Sequence, residues 1–185
     1  MNKPLLIIIG GFAGAGKTTV ANKLSRERNY PLFSTDVIND VLRLALSKDF
    51  HEVSPTAYEV MWHLVRQQLA NGLTTIVDSH MSVAKVWESL DELKQAMPTV
   101  IVVPIILQAT LDTHRNRIDE RGRSNKEHLN LGGDKLEDVL FKYEFIEKLN
   151  RSDLIRIDAN GQFNNVYELV EKIIDEHSAI GGDSH

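Results

Sequence analysis

Short apolar runs alternate with segments of helical periodicity along most of the chain. Strands are predicted at residues 5–9, 31–34, 73–77, 99–107 and 154–157. The first strand is apolar at every position, which is typical of a parallel strand covered on both faces. Pro104 has no backbone N–H for a neighbouring strand, so a bulge or an early strand end is expected there.

Apolar side chains three and four residues apart predict the helices between these strands. A first helix is expected from Lys17 to about Arg28. Further helices are predicted at residues 38–45, 58–69 (after Pro55), 83–93, 111–121, 136–146 and 166–174. Residues 122–134 have the composition of a loop, and residues 179–185 that of a frayed tail.

This alternation of strands and helices predicts a single α/β domain over residues 1–178. Right-handed crossovers would give a five-stranded parallel sheet with helices on both faces. The expected strand order is 2-3-1-4-5, with an arginine-rich lid at about residues 114–134.

The composition excludes several function classes. Cysteine is absent, which rules out disulfide scaffolds, thiolate metal sites and a cysteine nucleophile. The 21 basic and 26 acidic residues give a net charge of −5, which argues against long nucleic acid or an anionic membrane as the main partner. No apolar run is long enough for a secretory signal or a membrane span, so a cytoplasmic protein is expected.

A phosphate-binding motif follows the first predicted strand directly. Residues 11–18 read Gly-Phe-Ala-Gly-Ala-Gly-Lys-Thr, a full match to the P-loop pattern between a strand and a helix. Its backbone N–H groups and the helix N-terminus would cradle phosphates, Lys17 would reach the β- and γ-phosphates, and Thr18 would bind Mg²⁺. The predicted nucleotide-binding residues are Gly11, Ala13, Gly14, Ala15, Gly16, Lys17, Thr18 and Thr19.

The rest of the sequence narrows the class of P-loop protein. The nearest string to a guanine-reading motif, at residues 125–128, lacks its aspartate, and no switch motif follows the third strand. A chain of 185 residues also leaves little room for the added domains of a motor or a transporter. A small phosphotransferase remains.

With these residues the chain resembles the small P-loop kinases grouped with gluconate kinase, polynucleotide 5′-kinase, chloramphenicol phosphotransferase and the zeta-toxin kinases. The resemblance covers about residues 5–175 and implies the P-loop NTPase fold with ATP and Mg²⁺ as cofactors. It implies that Asp36, beyond the second strand, is the base towards the acceptor hydroxyl, and that Asp78 ends the third strand. It also implies an arginine-bearing lid, matched by Arg115, Arg117, Arg121 and Arg123.

Physical reasoning supports the two aspartates independently. Ligands of open α/β sheets bind beyond the carboxyl ends of the strands, and both residues fall at such ends beside the P-loop strand. A carboxylate there can orient an acceptor hydroxyl and take its proton. Asp78 could instead hold Mg²⁺ through water. The alternatives are a helix N-cap for Asp36 and a turn residue for Asp78.

The predicted lid carries positive charge in an acidic protein. Residues 114–128 contain five basic and three acidic side chains. Guanidinium groups bind phosphate oxygens bidentately. Arg117 and Arg121 are favoured, since two like charges at this spacing are unfavourable on a bare helix. The alternative is a solvated helix face.

Four other residues are weaker candidates. Arg43 and His80 could contact the acceptor, or could simply face water or lie in a loop. Ala159 and Asn160 follow the fifth strand, where the related kinases pack the adenine, and could contact the base or form an ordinary turn. Asn39 stands where the polynucleotide kinases carry an arginine, which weakens a polynucleotide acceptor. Trp62 and Trp87 are expected in the core.

Together these features predict a kinase that transfers the γ-phosphoryl group of ATP to a hydroxyl of a small molecule. Sugar, nucleoside and antibiotic acceptors all stay open. The rival hypothesis is a switch or regulatory module that binds ATP or hydrolyses it slowly without such an acceptor.

Overall fold

The computed structural model describes residues 3–82, 84–124 and 144–180, with the backbone alone at 121–124 and 180. Five parallel strands form one sheet of order β2-β3-β1-β4-β5. This is the predicted order, with helices on both faces of the sheet. The strands are β1 (Leu5–Gly11), β2 (Leu32–Ser34), β3 (Thr75–Asp78), β4 (Ile101–Gln108) and β5 (Ile155–Asp158).

Six long helices are described, and no described helix is long and apolar enough to cross a membrane. They are α1 (Lys17–Arg28), α2 (Thr35–Leu46), α3 (Phe50–Ala70), α4 (Ala84–Ala96), α5 (Leu111–Ser124) and α6 (Phe163–Ile180). Residues 144–148 are also helical. The last helix continues into the segment that was expected to fray.

The central strand β1 supplies both hydrophobic cores. Side chains alternate between the faces of a strand, so Leu6 and Ile8 lie in the core under α3 and α4. Leu5, Ile7 and Ile9 lie in the core under α1 and α6. All five are fully or almost fully buried, which explains why this strand is apolar at every position.

Both tryptophans are buried in the core under α3 and α4, as the sequence predicts. The Trp87 indole N–H donates to the Met81 carbonyl at 2.9 Å. Arg151 lies over the Trp87 ring and pairs with Asp91 and Asp153. This cluster ties α4 to the segment before β5.

Two predictions about prolines were wrong. Helix α3 begins at Phe50, before Pro55, because Asp49 and Glu52 form a capping box that fixes its first turn. Strand β4 runs straight through Pro104 with no break. Pairing of β4 with β5 starts only at Ile105, so among the described residues no strand lies beside that edge of β4 up to Pro104, and a missing N–H is tolerated there.

The lid is described only at its start. Helix α5 includes Gly122, which was predicted to begin a loop. The rest of that predicted loop, residues 125–134, lies outside the described residues. So do most of the helix predicted at 136–146, Val83 and the tail at 181–185. The side chains of Arg121 and Arg123 lie outside the description as well.

Candidate active site

The P-loop turns sharply from β1 into α1. Gly14 and Gly16 have φ values of 81° and 91°, a left-handed conformation that favours glycine. A Cβ atom on Gly14 would lie 3.0 Å from the His114 carbonyl oxygen, so a side chain there would force α5 to shift by a few tenths of an ångström. The Ala15 N–H donates to the Phe12 carbonyl at 3.0 Å, and buried Phe12 anchors the loop in the core.

Lys17 and Asp36 face each other at the carboxyl edge of the sheet. The Lys17 Nζ lies 3.9 Å from an Asp36 carboxylate oxygen, and the lysine is only 8% exposed. The His80 Nε2 lies 3.8 Å from the other carboxylate oxygen. The structure therefore brings together three residues that were predicted from separate segments. The Asp36 carboxylate is still 44% exposed and can meet a ligand.

Asp36 is not the N-cap of its helix. Ser34 is the cap of α2, and Asp36 lies in the first turn of that helix. Its carboxylate is favoured there by the positive end of the helix dipole. The alternative role of Asp36 as a cap does not hold.

Asp78 ends β3 between the P-loop strand and the strand that leads to Asp36. It lies in register with Ile9 on β1 and with Ser34 on β2. It is 2% exposed, so it belongs to the buried floor of this edge and not to an ordinary surface turn.

A group of hydroxyl side chains lies at the same edge of the sheet as the two acidic residues. The Thr35 hydroxyl donates to the Ser79 hydroxyl at 3.3 Å. Tyr58 on α3 lies near Ser79 and near the charge of Asp36. Burial raises the pKa of the Tyr58 phenol, and the Asp36 charge acts in the same direction. The phenol therefore stays protonated at neutral pH and keeps an O–H beside the site. Sequence reasoning missed Tyr58 because it stood in an apolar helix face.

A cavity of about 460 Å³ opens on the other side of the P-loop. Its walls come from the P-loop and α1, from α5, and from the turn between β5 and α6. Residues on these walls include Gly14, Gly16, Thr19, Arg117, Ala159 and Gly161. Its volume falls within the range of small-molecule sites.

Arg117 links the two walls of this cavity. Its guanidinium donates to the carbonyls of Gly14 at 3.2 Å, Ala159 at 2.8 Å and Gly161 at 3.3 Å. These three backbone contacts fix the cavity rim, and the phosphate contact of Arg117 stays a prediction. Arg115 is exposed and pairs with Asp112 at 3.4 Å.

Asn160 connects the turn after β5 to the start of α5. Its side-chain oxygen accepts from the Thr110 N–H at 2.7 Å and from the Thr113 hydroxyl at 3.0 Å. The amide side chain thus joins the β5–α6 turn to the start of α5, whereas the neighbouring Ala159 lines the cavity. Of the two residues predicted to contact the adenine, Ala159 is the one that lines the cavity.

His114 holds the P-loop from the side of α5. It is fully buried, and its Nδ1 lies 2.6 Å from the Ala13 carbonyl. Burial lowers the pKa of the His114 imidazole, and the nearby Arg117 charge adds to this effect. Its hydrogen bonds to the Ala13 and Ala109 backbone act in the opposite direction. The sequence signal was its spacing of three residues from Arg117, which places both on one face of α5.

We expect His114→Asn to weaken the acid sensitivity of folding. The lowered pKa keeps His114 neutral in the folded chain, whereas the unfolded chain takes up a proton below about pH 6.5. The free energy of unfolding should therefore fall as the pH drops below that value, by up to about 1.4 kcal/mol per pH unit from this group. Asparagine can donate to Ala13 but does not titrate. Urea denaturation at pH 7.5 and 5.5 measures the difference, and equal losses in both proteins would contradict the assignment.

The residues present fit a magnesium ion that is held mainly by a nucleotide. Oxygen donors, which Mg²⁺ prefers, are supplied by exposed Thr18 at the start of α1 and by the carboxylate of Asp78. Within the described ranges no group of three or more acidic or histidine side chains could hold a metal by itself. Such a set suits Mg²⁺, which commonly binds one or two protein ligands together with phosphate oxygens.

Comparisons with known proteins support this fold. The family model described as AAA domain matches residues 6–146. A 2-phosphoglycerate kinase of Methanococcus maripaludis (strain C5) is 25% identical over 178 residues, covering 80% of this chain and 54% of the relative. The chain thus spans about half the length of that curated relative.

Two solved structures share the fold. A protein of Chloroflexus aurantiacus J-10-fl superposes with a TM-score of 0.70 at 22% identity, covering 96% of this chain and 99% of that one. A gluconokinase from Sinorhizobium meliloti 1021 superposes with a TM-score of 0.61 at 14% identity, with both chains covered completely. The chain therefore belongs to the AAA domain family of P-loop proteins and has the fold of small P-loop kinases.

Proposed function

We propose that this protein is an ATP- and Mg²⁺-dependent kinase that transfers the γ-phosphoryl group to a hydroxyl of a small molecule. The observation that carries the proposal is the position of Asp36. A partly exposed carboxylate lies 3.9 Å from the P-loop lysine, beside the carboxyl ends of β2 and β3. A protein that only binds or hydrolyses ATP has no need for an acceptor base there.

The nucleotide would lie along the P-loop. Backbone N–H groups from Gly14 to Thr18 and the N-terminus of α1 would bind its phosphates, with Lys17 at the β- and γ-phosphates. The adenine would occupy the cavity between α1, α5 and the β5–α6 turn, against Ala159. Arg117 would hold that cavity open through its three carbonyl contacts. Mg²⁺, bound by Thr18 and Asp78, would neutralise phosphate charge.

Transfer would proceed by in-line displacement. The acceptor oxygen forms a bond to the γ-phosphorus, the bond between that phosphorus and the β,γ-bridging oxygen breaks, and ADP leaves. Asp36 orients the acceptor hydroxyl and takes its proton. His80, 3.8 Å from the same carboxylate, would fix its orientation. Arg121 and Arg123 on the lid are the candidates for neutralising the transferring group, since Arg117 is engaged elsewhere.

The relatives favour small hydroxyl compounds as acceptors. One curated relative is named a 2-phosphoglycerate kinase, and the structural neighbours include a gluconokinase and a deoxyadenosine kinase. A cytoplasmic location would fit substrates of this kind, and long nucleic acids and membranes are not expected as partners.

An acceptor screen tests the proposal. We expect ADP release from MgATP to rise at least tenfold with one class among sugars, hydroxy acids, nucleosides and hydroxyl-bearing antibiotics, because transfer needs an acceptor beside Asp36. A coupled assay of ADP measures the rate. Equal ADP release with and without every acceptor would support the rival hypothesis of an ATP-hydrolysing switch.

A further inference from the structure

Three buried polar atoms belong to α2 and α3, two helices that pack against each other. They are the Oδ1 of Asn39, the Nε of Arg43 and the Nε1 of Trp62, and none has a hydrogen-bond partner among the described residues. Asn39 and Trp62 are each 2% exposed. We call these three residues the α2–α3 seam.

Unpaired buried polar groups carry an energetic cost. Each costs on the order of 1–3 kcal/mol when water is excluded and no partner replaces it. Native proteins hold few such groups, so three on one pair of packed helices point to a partner from outside the chain. A bound group that met these atoms would recover that free energy.

The seam continues directly from the proposed reaction centre. Asn39 and Arg43 follow Asp36 at intervals of three and four residues on α2, so all three lie on one side of the helix. Trp62 lies one turn after Tyr58 on α3, and Tyr58 reaches the Ser79 and Asp36 cluster. With a rise of 1.5 Å per residue, Arg43 is about 10 Å along the axis from Asp36. The long Arg43 side chain can reach back along the helix towards Asp36, so a small acceptor could contact both residues.

The chemistry of the seam is that of an anion site. The Trp62 indole and the Arg43 guanidinium are donors only, and Arg43 is always charged. A half-turn of the Asn39 amide exchanges its oxygen and its NH₂ group, so the NH₂ group can serve as a donor at the same place. The ion pair of Arg43 with Asp40 is loose, at 3.7 Å, and the Asp40 side chain is 66% exposed. The planar Arg43 guanidinium, together with the buried N–H of Trp62, suits a carboxylate or a phosphate.

We propose that the α2–α3 seam binds an acid group of the acceptor, so that the preferred substrates are hydroxy acids or phosphorylated alcohols. The proposal rests on the proposed kinase function. In it, Asp36 holds the reacting hydroxyl, and Arg43, Trp62 and Asn39 hold the acid group at the other end. Specificity arises because a neutral acceptor would leave the seam donors unpaired.

Matched acceptor pairs test this assignment by binding, without turnover. The pairs are glycerate and glycerol, gluconate and glucose, and ribose 5-phosphate and ribose, so that carboxylate and phosphate are tested separately. Calorimetric titration into the protein with a non-hydrolysable ATP analogue should show the acid member of at least one pair binding tenfold or more tightly. No preference for the acid member in any pair would overturn the proposal.

Substitutions locate the effect. Arg43→Ala should remove most of the preference for the acid, Arg43→Lys should keep part of it, and Trp62→Phe should reduce it while retaining an aromatic ring. Arg66→Ala is the matched control, since Arg66 is similarly exposed on α3 and pairs with Glu92 at 3.6 Å. An acid preference equal in Arg43→Ala and Arg66→Ala would overturn the proposal.

The same titrations separate the two proposals. Acid binding that depends on Arg43, without transfer to any acceptor, would support the seam and count against the kinase function. Transfer with equal efficiency to acid and neutral members would support the kinase function and count against the seam.

Discussion

Replacing Asp36 with asparagine is expected to reduce phosphoryl transfer by about 10²–10⁴-fold without weakening the binding of MgATP. Asparagine keeps the shape of the side chain and its place in the first turn of α2, but it cannot take a proton from the acceptor. The carboxylate lies 3.9 Å from Lys17 and 3.8 Å from His80, and both distances are longer than a hydrogen bond. Because neither partner is tightly bound to Asp36, we expect both to stay in place together with the P-loop backbone. Transfer rates and nucleotide affinity should therefore separate.

The control for this substitution is Asp40→Asn. Asp40 lies one turn further along α2, its side chain is 66% exposed, and it pairs only loosely with Arg43. We expect it to leave the maximal transfer rate close to that of the wild type. Steady-state rates at saturating acceptor, with nucleotide titrations by fluorescence, measure both effects. A fall of similar size in both variants would show that Asp36 acts through general charge near the site.

Replacing Lys17 with methionine is expected to reduce the transfer rate by a factor of about 10²–10³ or more, and to weaken nucleotide binding as well. Lys17 is 8% exposed at the first position of α1, directly after the P-loop glycines. Its ammonium group is the one P-loop charge that could meet the β- and γ-phosphates. Methionine retains the apolar stem, so the fold around α1 should persist.

The two variants are expected to differ in whether they impair nucleotide binding. Lys17→Met should impair both nucleotide binding and transfer, whereas Asp36→Asn should impair transfer alone. Lys48→Ala, at an exposed lysine that pairs with Glu52 on the first turn of α3, serves as the control for loss of a lysine. Thermal denaturation checks that each variant folds. Unchanged nucleotide affinity in Lys17→Met would contradict the assigned phosphate site.

The sheet could be predicted from the sequence because its determinants are local. Continuous apolar runs mark buried parallel strands, and helical periodicity marks the crossovers, so the strand order 2-3-1-4-5 is confirmed. The errors at Pro55 and Pro104 have different causes. At Pro55 the Asp49 cap starts the helix five residues earlier, and at Pro104 the pairing with β5 begins only at the next residue; neither feature is visible at the proline itself.

The site was predictable as far as strand ends determine it. Asp36 and Asp78 end or follow adjacent strands, and the parallel sheet brings such ends together at one edge. The contacts of Arg117, His114 and Tyr58 depend on how α5 and α3 pack, which no local pattern encodes. Arg117 binds three carbonyls because α5 brings it between the P-loop and the β5–α6 turn. The buried donors of the α2–α3 seam likewise emerge only from packing.

The fate of the γ-phosphate tests the central claim most directly. ATP labelled at that phosphate is incubated with the protein and with the best acceptor from the screen, and the label is counted in the acceptor and in inorganic phosphate. The kinase proposal predicts label on the acceptor with the wild type and a loss of that product with Asp36→Asn. Release of all label as inorganic phosphate, at a rate that neither the acceptor nor Asp36→Asn changes, would contradict it.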